Sequence, residues 1–296
     1  MMAKKECADK QKPAIKVLFW FLIAIYTYNL PNARVVYNFL VETIGQELTG
    51  KIPLVLVAAT GLIYLAILMI TRRNLMNLLY LIPCGVIAYI IITLEPNPNK
   101  HIHIPEYVLM AWLLFAALSS EYKQADLLIL IFILTSMLGV VDEIEQGIHP
   151  ARFYGWSDML VNSASALIGV LTIMGLTDLK KTDFSWKRYF RRDRLALWGI
   201  GLGIISAIAM AYFLFEVQKT EKFAEVYPGW LLIVGAVFVA LAILIAIRFI
   251  KSEDNRSISP LGEKKIARQW VLPALAILVY MHVMVFYIVV SGAEFL

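Results

Sequence analysis

Long apolar runs alternate with short polar stretches along most of this chain. Runs of that length, separated by turn-forming and charged residues, predict helices over 15–30, 52–70, 75–94, 104–120, 125–146, 157–176, 195–217, 229–250 and 270–290. Hydrocarbon offers the backbone no water, so a spanning segment must be a helix or a strand of a closed barrel. These runs are too long and too uniformly apolar for barrel strands. The expected fold is therefore all-α: a polytopic transmembrane helical bundle of about nine helices.

Composition agrees with this pattern. Hydrophobic residues make up 60% of the 296 positions, and the mean hydropathy is +0.72. The first run follows a lysine-bearing segment, as a signal peptide would, but no small-x-small cleavage site follows it. It is expected to remain as a first span. Cys7 and Cys84 are too differently placed to form a disulfide framework.

The formal net charge of +5 finds its explanation in topology rather than in nucleic acid. With the segment before the first span in the cytoplasm and sides assigned alternately, 21 of the 27 basic residues fall inside and 6 outside. The expected location is a bacterial inner membrane, crossed many times, with a cytoplasmic N-terminus. The one break in composition is the basic, aromatic-bearing segment 177–194. It divides the chain into residues 1–74 with two helices, a core of four helices over 75–176, the linker 177–194, and three helices over 195–296. Its basic and aromatic residues suit a membrane surface.

Chemistry-bearing residues are concentrated between Asn99 and Gly169. Lys100, His103 and Tyr107 open the fourth helix. Asp142, Glu143 and Gln146 close the fifth. Arg152, Asp158 and Asn162 span the following loop and open the sixth. His103 and Tyr107, Asp142 and Gln146, and Asp158 and Asn162 are each four apart, so each pair shares one helix face. Helices joined by short loops usually pack as neighbours, and three such stripes are expected to converge on one pocket at the non-cytoplasmic side. Depth adds to the case. Only 15 apolar residues, Leu127 to Val141, precede Asp142; they cover roughly 22 Å of a hydrocarbon layer about 30 Å thick. Asp142 and Glu143 then lie below the surface, where an acid needs a counter-charge, a water-filled cavity or a proton. Arg152, Lys100 and His103 are the candidates. The bland alternative is a set of solvated helix ends, with Ser157 or Asp158 as an N-cap and Pro105 in a first turn.

Together, NKHIHIPEY (99–107), DEIEQ (142–146), PAR (150–152) and DMLVNSASALIG (158–169) resemble the signature of the VanZ-like family of bacterial membrane proteins, named for a glycopeptide (teicoplanin) resistance protein. The family pattern runs roughly D-K-x-x-H-x-x-x-Y, D-E-x-x-Q, P-G-R and D-x-x-x-N-x-x-G. Asn99, Ala151 and Ser165 depart from it. The resemblance covers residues 75–176 and implies an envelope or glycopeptide-resistance role, without implying a defined reaction.

The resemblance and the residues support three readings. An enzyme acting on an amphipathic, lipid-linked envelope substrate would use His103, Asp142, Glu143 and Asp158 as acid–base groups. Lys100, Tyr107, Gln146, Arg152 and Asn162 would bind its anionic head group. A non-catalytic binder would hold a lipid, or shield an antibiotic target, with the same residues. A proton-linked transporter would place polar sites near mid-membrane, whereas here they crowd one end. Membrane lipids are the expected partners, with no nucleic acid, no cofactor and no metal. His101, His103 and His149 lack metal-site spacing, and P-loop, dinucleotide and G-x-S-x-G motifs are absent. Gly199 and Gly203 form a GxxxG, expected to serve helix packing. His282 is expected to bond to a neighbouring helix.

Overall fold

The computed structural model describes residues 2–71, 74–119, 125–149, 152–177, 179, 194–220, 226–251, 261–291 and 295. These form helices and turns, with no strand among the described residues. In chain order the helices are α1 (Met2–Asn29), α2 (Ala33–Ile44), α3 (Gln46–Thr49), α4 (Ile52–Ile70), α5 (Leu81–Leu94), α6 (His103–Ser119), α7 (Leu127–Ile148), α8 (Trp156–Leu176), α9 (Arg194–Thr220), α10 (Gly229–Lys251) and α11 (Leu261–Ser291). Short 3-10 turns precede α2, α5 and α6.

Eight helical segments among the described residues are long and apolar enough to cross a membrane, from Gln46–Ile70 through Arg268–Ser291. The protein is thus an all-α, multi-pass membrane bundle. The expected span over 15–30 lies within α1, which is not one of the eight. Its lysine-bearing first half is polar, and only the stretch from Ile15 onward is apolar. The stretch 31–51, read from sequence as a loop, contains α2. Most of the linker 177–194 lies outside the described residues.

The chain divides into two compact units. The first is Met1–Gly139 with Gly155–Thr182, and the second is Val140–Tyr154 with Asp183–Leu296. The boundary falls within α7.

In the first unit, α6 and α8 form the central pair. Met110, Ala111, Leu114 and Leu118 of α6 and Ala166 and Ile173 of α8 are fully or almost fully buried. Lipid supplies no hydrophobic drive between helices, so close backbone approach through small residues takes its place. A Cβ added at Gly169 would lie 2.6 Å from Ala111 Cβ and 3.2 Å from Val108 Cα. Polar groups on these helices bond across them. Trp112 Nε1 donates to Thr172 Oγ1 at 3.0 Å, and Asn162 Nδ2 donates to the Gly139 carbonyl at 3.3 Å. At the far end of α8, Asn77 Nδ2 donates to the Gly175 carbonyl at 2.6 Å, and Tyr64 donates to the Asn77 carbonyl at 2.9 Å. This meets an acceptor that a helix terminus leaves open.

In the second unit, α9, α10 and α11 pack on one another. Both glycines of the GxxxG pair face α10. Side chains added at Gly199 and Gly203 would run into Ile245 and Phe238. His282 is fully buried. Its Nδ1 lies 2.7 Å from the Leu278 carbonyl and its Nε2 2.8 Å from Ser206 Oγ. The bond links α11 to α9, as expected.

Gly169→Ala is expected to lower stability by about 1–3 kcal/mol, because the obstructing atoms include backbone of α6. Gly61→Ala, with nothing within 4 Å of its added Cβ, is expected to leave stability unchanged or slightly raised. Thermal unfolding of both variants in one detergent checks the pair.

Candidate functional site

The residues singled out from sequence fall into two sets, one in each unit.

In the first unit the set is built on a turn and two helix starts. Asn97 Oδ1 accepts from the Asn99 amide at 3.1 Å, an Asx-type turn that opens the 3-10 segment Pro98–Ile102. That turn carries Lys100. Its Nζ lies 2.7 Å from Asp158 Oδ1 and 3.3 Å from Glu95 Oε2. Asp158 is in the first turn of α8. It is not the N-cap, which is Gly155 without a side-chain cap; its carboxylate is committed to Lys100. The lysine side chain is 29% exposed, against 10% for the aspartate, so this pair is less screened than a surface one.

His103 begins α6, and its Nδ1 lies 3.1 Å from Glu106 Oε2. The rings of His103 and Tyr107 follow one turn apart, their centroids 6.2 Å from each other. Tyr107 is fully buried, as is Asn162. His101 is buried with Nε2 3.0 Å from the Glu95 carbonyl, holding the approach to α6. Glu95 and Glu106 were not among the residues expected from the sequence. Glu106 had a signal, since it stands three residues after His103 on the same helix. Glu95 precedes a proline-asparagine turn and had none.

In the second unit, Asp142, Glu143 and Gln146 lie in the last turns of α7, all buried. Beyond the helix the chain turns back. The His149 amide donates to the Gln146 carbonyl at 3.0 Å, and the Arg152 amide to the His149 carbonyl at 2.9 Å. This brings Arg152 alongside Gln146. Arg152 Nε donates to Gln146 Oε1 at 2.9 Å, and Gln146 Nε2 donates to Asp142 Oδ2 at 2.9 Å. One amide thus connects cation and anion. Glu145 accepts from the Tyr280 hydroxyl. Pro150 and Ala151 of the motif lie outside the described residues.

Two residues past Arg152, the Tyr154 ring sits between Phe215 and Phe295, at centroid distances of 4.3 Å and 5.2 Å. Its hydroxyl donates to the Ala211 carbonyl at 3.3 Å. Burial pushes the Tyr154 phenol well above its usual range, with Glu143 adding in the same sense. Phe295 also covers Gly147, where any Cβ would collide with its ring. The segment bearing Arg152 is therefore held by the same aromatic residue at both of its ends. Tyr154 and Phe295 were not expected from sequence.

No family model matches the chain, and no curated protein or solved structure matches it either. In the first unit the geometry offers Lys100 between two carboxylates and a histidine with an acidic partner; in the second it offers Arg152 on an amide that also holds a buried carboxylate. Such groups can clamp an anion and exchange protons with it.

A double-mutant cycle of Lys100→Met and Asp158→Asn is expected to give a coupling of about 0.5–3 kcal/mol. The solvent-exposed i,i+4 pair of Lys51 and Glu47 should give no measurable coupling. Unfolding of the single and double variants in detergent measures both. Gly147→Ala should loosen the Arg152 segment, read as faster hydrogen exchange over 149–154.

Proposed function

We propose that this is a VanZ-like membrane protein. It binds, and on the enzymatic reading acts on, a lipid or lipid-linked envelope component with an anionic head group, at the non-cytoplasmic side of a bacterial plasma membrane. The observation that carries the proposal is that the motif residues bond to one another. Lys100 and Asp158, from the first and last motif segments, meet at 2.7 Å. Gln146 joins Asp142, in its own segment, to Arg152 in the next. Isolated helix-end residues would have no reason to pair in this pattern.

Arg152 is the anchor in this reading. Its bond to Gln146 uses Nε, and among the described residues its two Nη groups make no hydrogen bond. That planar fork matches phosphate or carboxylate oxygens. Glu143 or Asp142 would serve as acid or base if a reaction follows there, and His103 with Glu106 offers a proton-exchanging pair in the first unit. A non-catalytic shield against glycopeptides would use the same contacts without turnover. Orientation follows from the charge distribution, with α1 as a ninth crossing and the residue-1 end in the cytoplasm.

Mass spectrometry of lipids that co-purify with the protein tests the reading directly. An anionic lipid species should be retained by the native chain and reduced in Arg152→Ala. Lys219→Ala should behave like the native protein, because Lys219 is an exposed lysine paired with Glu216, three residues away, at 2.8 Å. Arg152→Lys should recover part of the binding, since charge returns without the fork. Retention in Glu143→Gln with loss of any product would favour turnover over shielding. Identical lipid profiles for the native chain, Arg152→Ala and Lys219→Ala would sink the proposal. Reporter fusions placing the 147–156 loop in the cytoplasm would overturn the orientation.

A further inference from the structure

Helix α2 carries a pattern that neither the motif nor the spanning helices account for. Its polar residues Arg34, Asn38 and Glu42 recur every four positions, and all are exposed. They form one stripe along the helix. Beside it lies an apolar flank, also exposed: Val35 at 56%, Val36 at 59% and Phe39 at 63%. Ala33, Tyr37, Leu40 and Val41 fill the remaining sector and are half-buried. No residue of the helix is fully buried, and it packs mainly against the turns at its own ends, Leu30–Asn32 and Gln46–Thr49.

A helix with three such sectors suits neither bulk water nor hydrocarbon. In water, a contiguous flank of two valines and a phenylalanine would be costly. Within hydrocarbon, so would an arginine, an asparagine and a glutamate on one stripe. At the head-group boundary each sector meets a favourable medium.

The chain context supplies the location. One residue, Gly45, separates α2 from the candidate span Gln46–Ile70. Its φ of 85° and ψ of 157° break the helical path between α2 and α3, in a region that favours glycine. Upstream, α1 ends level with the start of α6, because the Tyr26 hydroxyl donates to the Glu106 carbonyl at 3.2 Å. Helix α4 packs on the turn carrying Lys100, and Val57 in its first turns packs against a core cluster that includes Ile104. Both flanks of α2 thus lie at the end of the first unit that bears Lys100, His103 and Asp158.

We infer that α2 is an interfacial helix whose Val35, Val36 and Phe39 flank inserts into the lipid head-group and acyl boundary at that end of the first unit. Arg34 and Glu42 cancel in charge, so the insertion is driven by apolar area and does not require anionic lipid. This inference stands apart from the functional proposal, since it needs neither a ligand nor a reaction.

The test is site-directed spin labelling of the full chain in nanodiscs, in a background with Cys7→Ser and Cys84→Ser. Single cysteines are placed at positions 34 to 39 and 42. Accessibility to oxygen, which partitions into lipid, is compared with accessibility to a water-soluble nickel chelate. The expected result is a helical-period alternation. Labels at 35, 36 and 39 should be oxygen-accessible and shielded from nickel, and labels at 34, 38 and 42 the reverse. The pattern should be the same in phosphatidylcholine discs and in discs containing phosphatidylglycerol. High nickel accessibility at all positions would show a helix standing in water and overturn the inference. Shielding of 35, 36 and 39 from both reagents would show a protein partner or second copy, and also overturn it. Insertion seen only with phosphatidylglycerol would overturn the charge-neutral mechanism. If the cysteine-free background does not fold, quenching by brominated phosphatidylcholine of Phe39→Trp against Asn38→Trp in the native background reads the same asymmetry. Equal quenching of the two would count against insertion.

Discussion

In a membrane, a polar side chain away from the surface has only protein to bond to. Much of the architecture described here follows from that constraint. In the first unit it pairs Trp112 with Thr172, aims Asn162 at the carbonyl of Gly139, and sets Asn77 across the end of α8. In the second it turns His282 toward Ser206. Each bond also fixes the rotation of one helix against another. Polar residues buried in spans therefore specify packing as well as offering chemistry.

Close approach is the complementary constraint. Beside or in place of such polar pairs, a glycine lets two helices meet. Gly169 admits Ala111 and the backbone of Val108, while Gly199 and Gly203 admit Ile245 and Phe238. Gly147 is different in kind. It receives Phe295, a residue remote in sequence, and so ties the end of α7 to an aromatic cluster that also grips Tyr154. The segment bearing Arg152 is thereby restrained by aromatic packing.

Much of the fold was legible in the sequence because lipid imposes length and apolarity on whole segments. The helix expected over 52–70 is observed as Ile52–Ile70, and that over 157–176 as Trp156–Leu176. Helix α11 begins earlier than expected, because its first turns, starting at Leu261, are polar and extend past the apolar run. Helix α2 was missed for a related reason. Its polar residues recur every four positions, but Pro31 and Gly45 read as loop punctuation and its apolar content is too short for a span. At the site, spacing showed which residues share a helix face. It could not show that Lys100 would choose Asp158 and Glu95, since a turn's path is set by local bonds such as the one from Asn97 to Asn99. Nor could it show Phe295 packing on Gly147, a contact between distant parts of the chain with no periodicity to announce it.

The amide of Gln146 has a consequence of its own. An arginine and an aspartate left to meet directly tend to close into a two-pronged pair, which occupies the guanidinium fork and quenches the field of both charges. Gln146 stands between them as a neutral spacer, its oxygen toward Arg152 and its nitrogen toward Asp142. An ionised carboxylate could not do this, because it has no donor, whereas an amide carries an acceptor and donors on one rigid plane. Arg152 is thereby oriented through its Nε, and the amide stands between cation and buried acid like the dielectric between the plates of a charged capacitor.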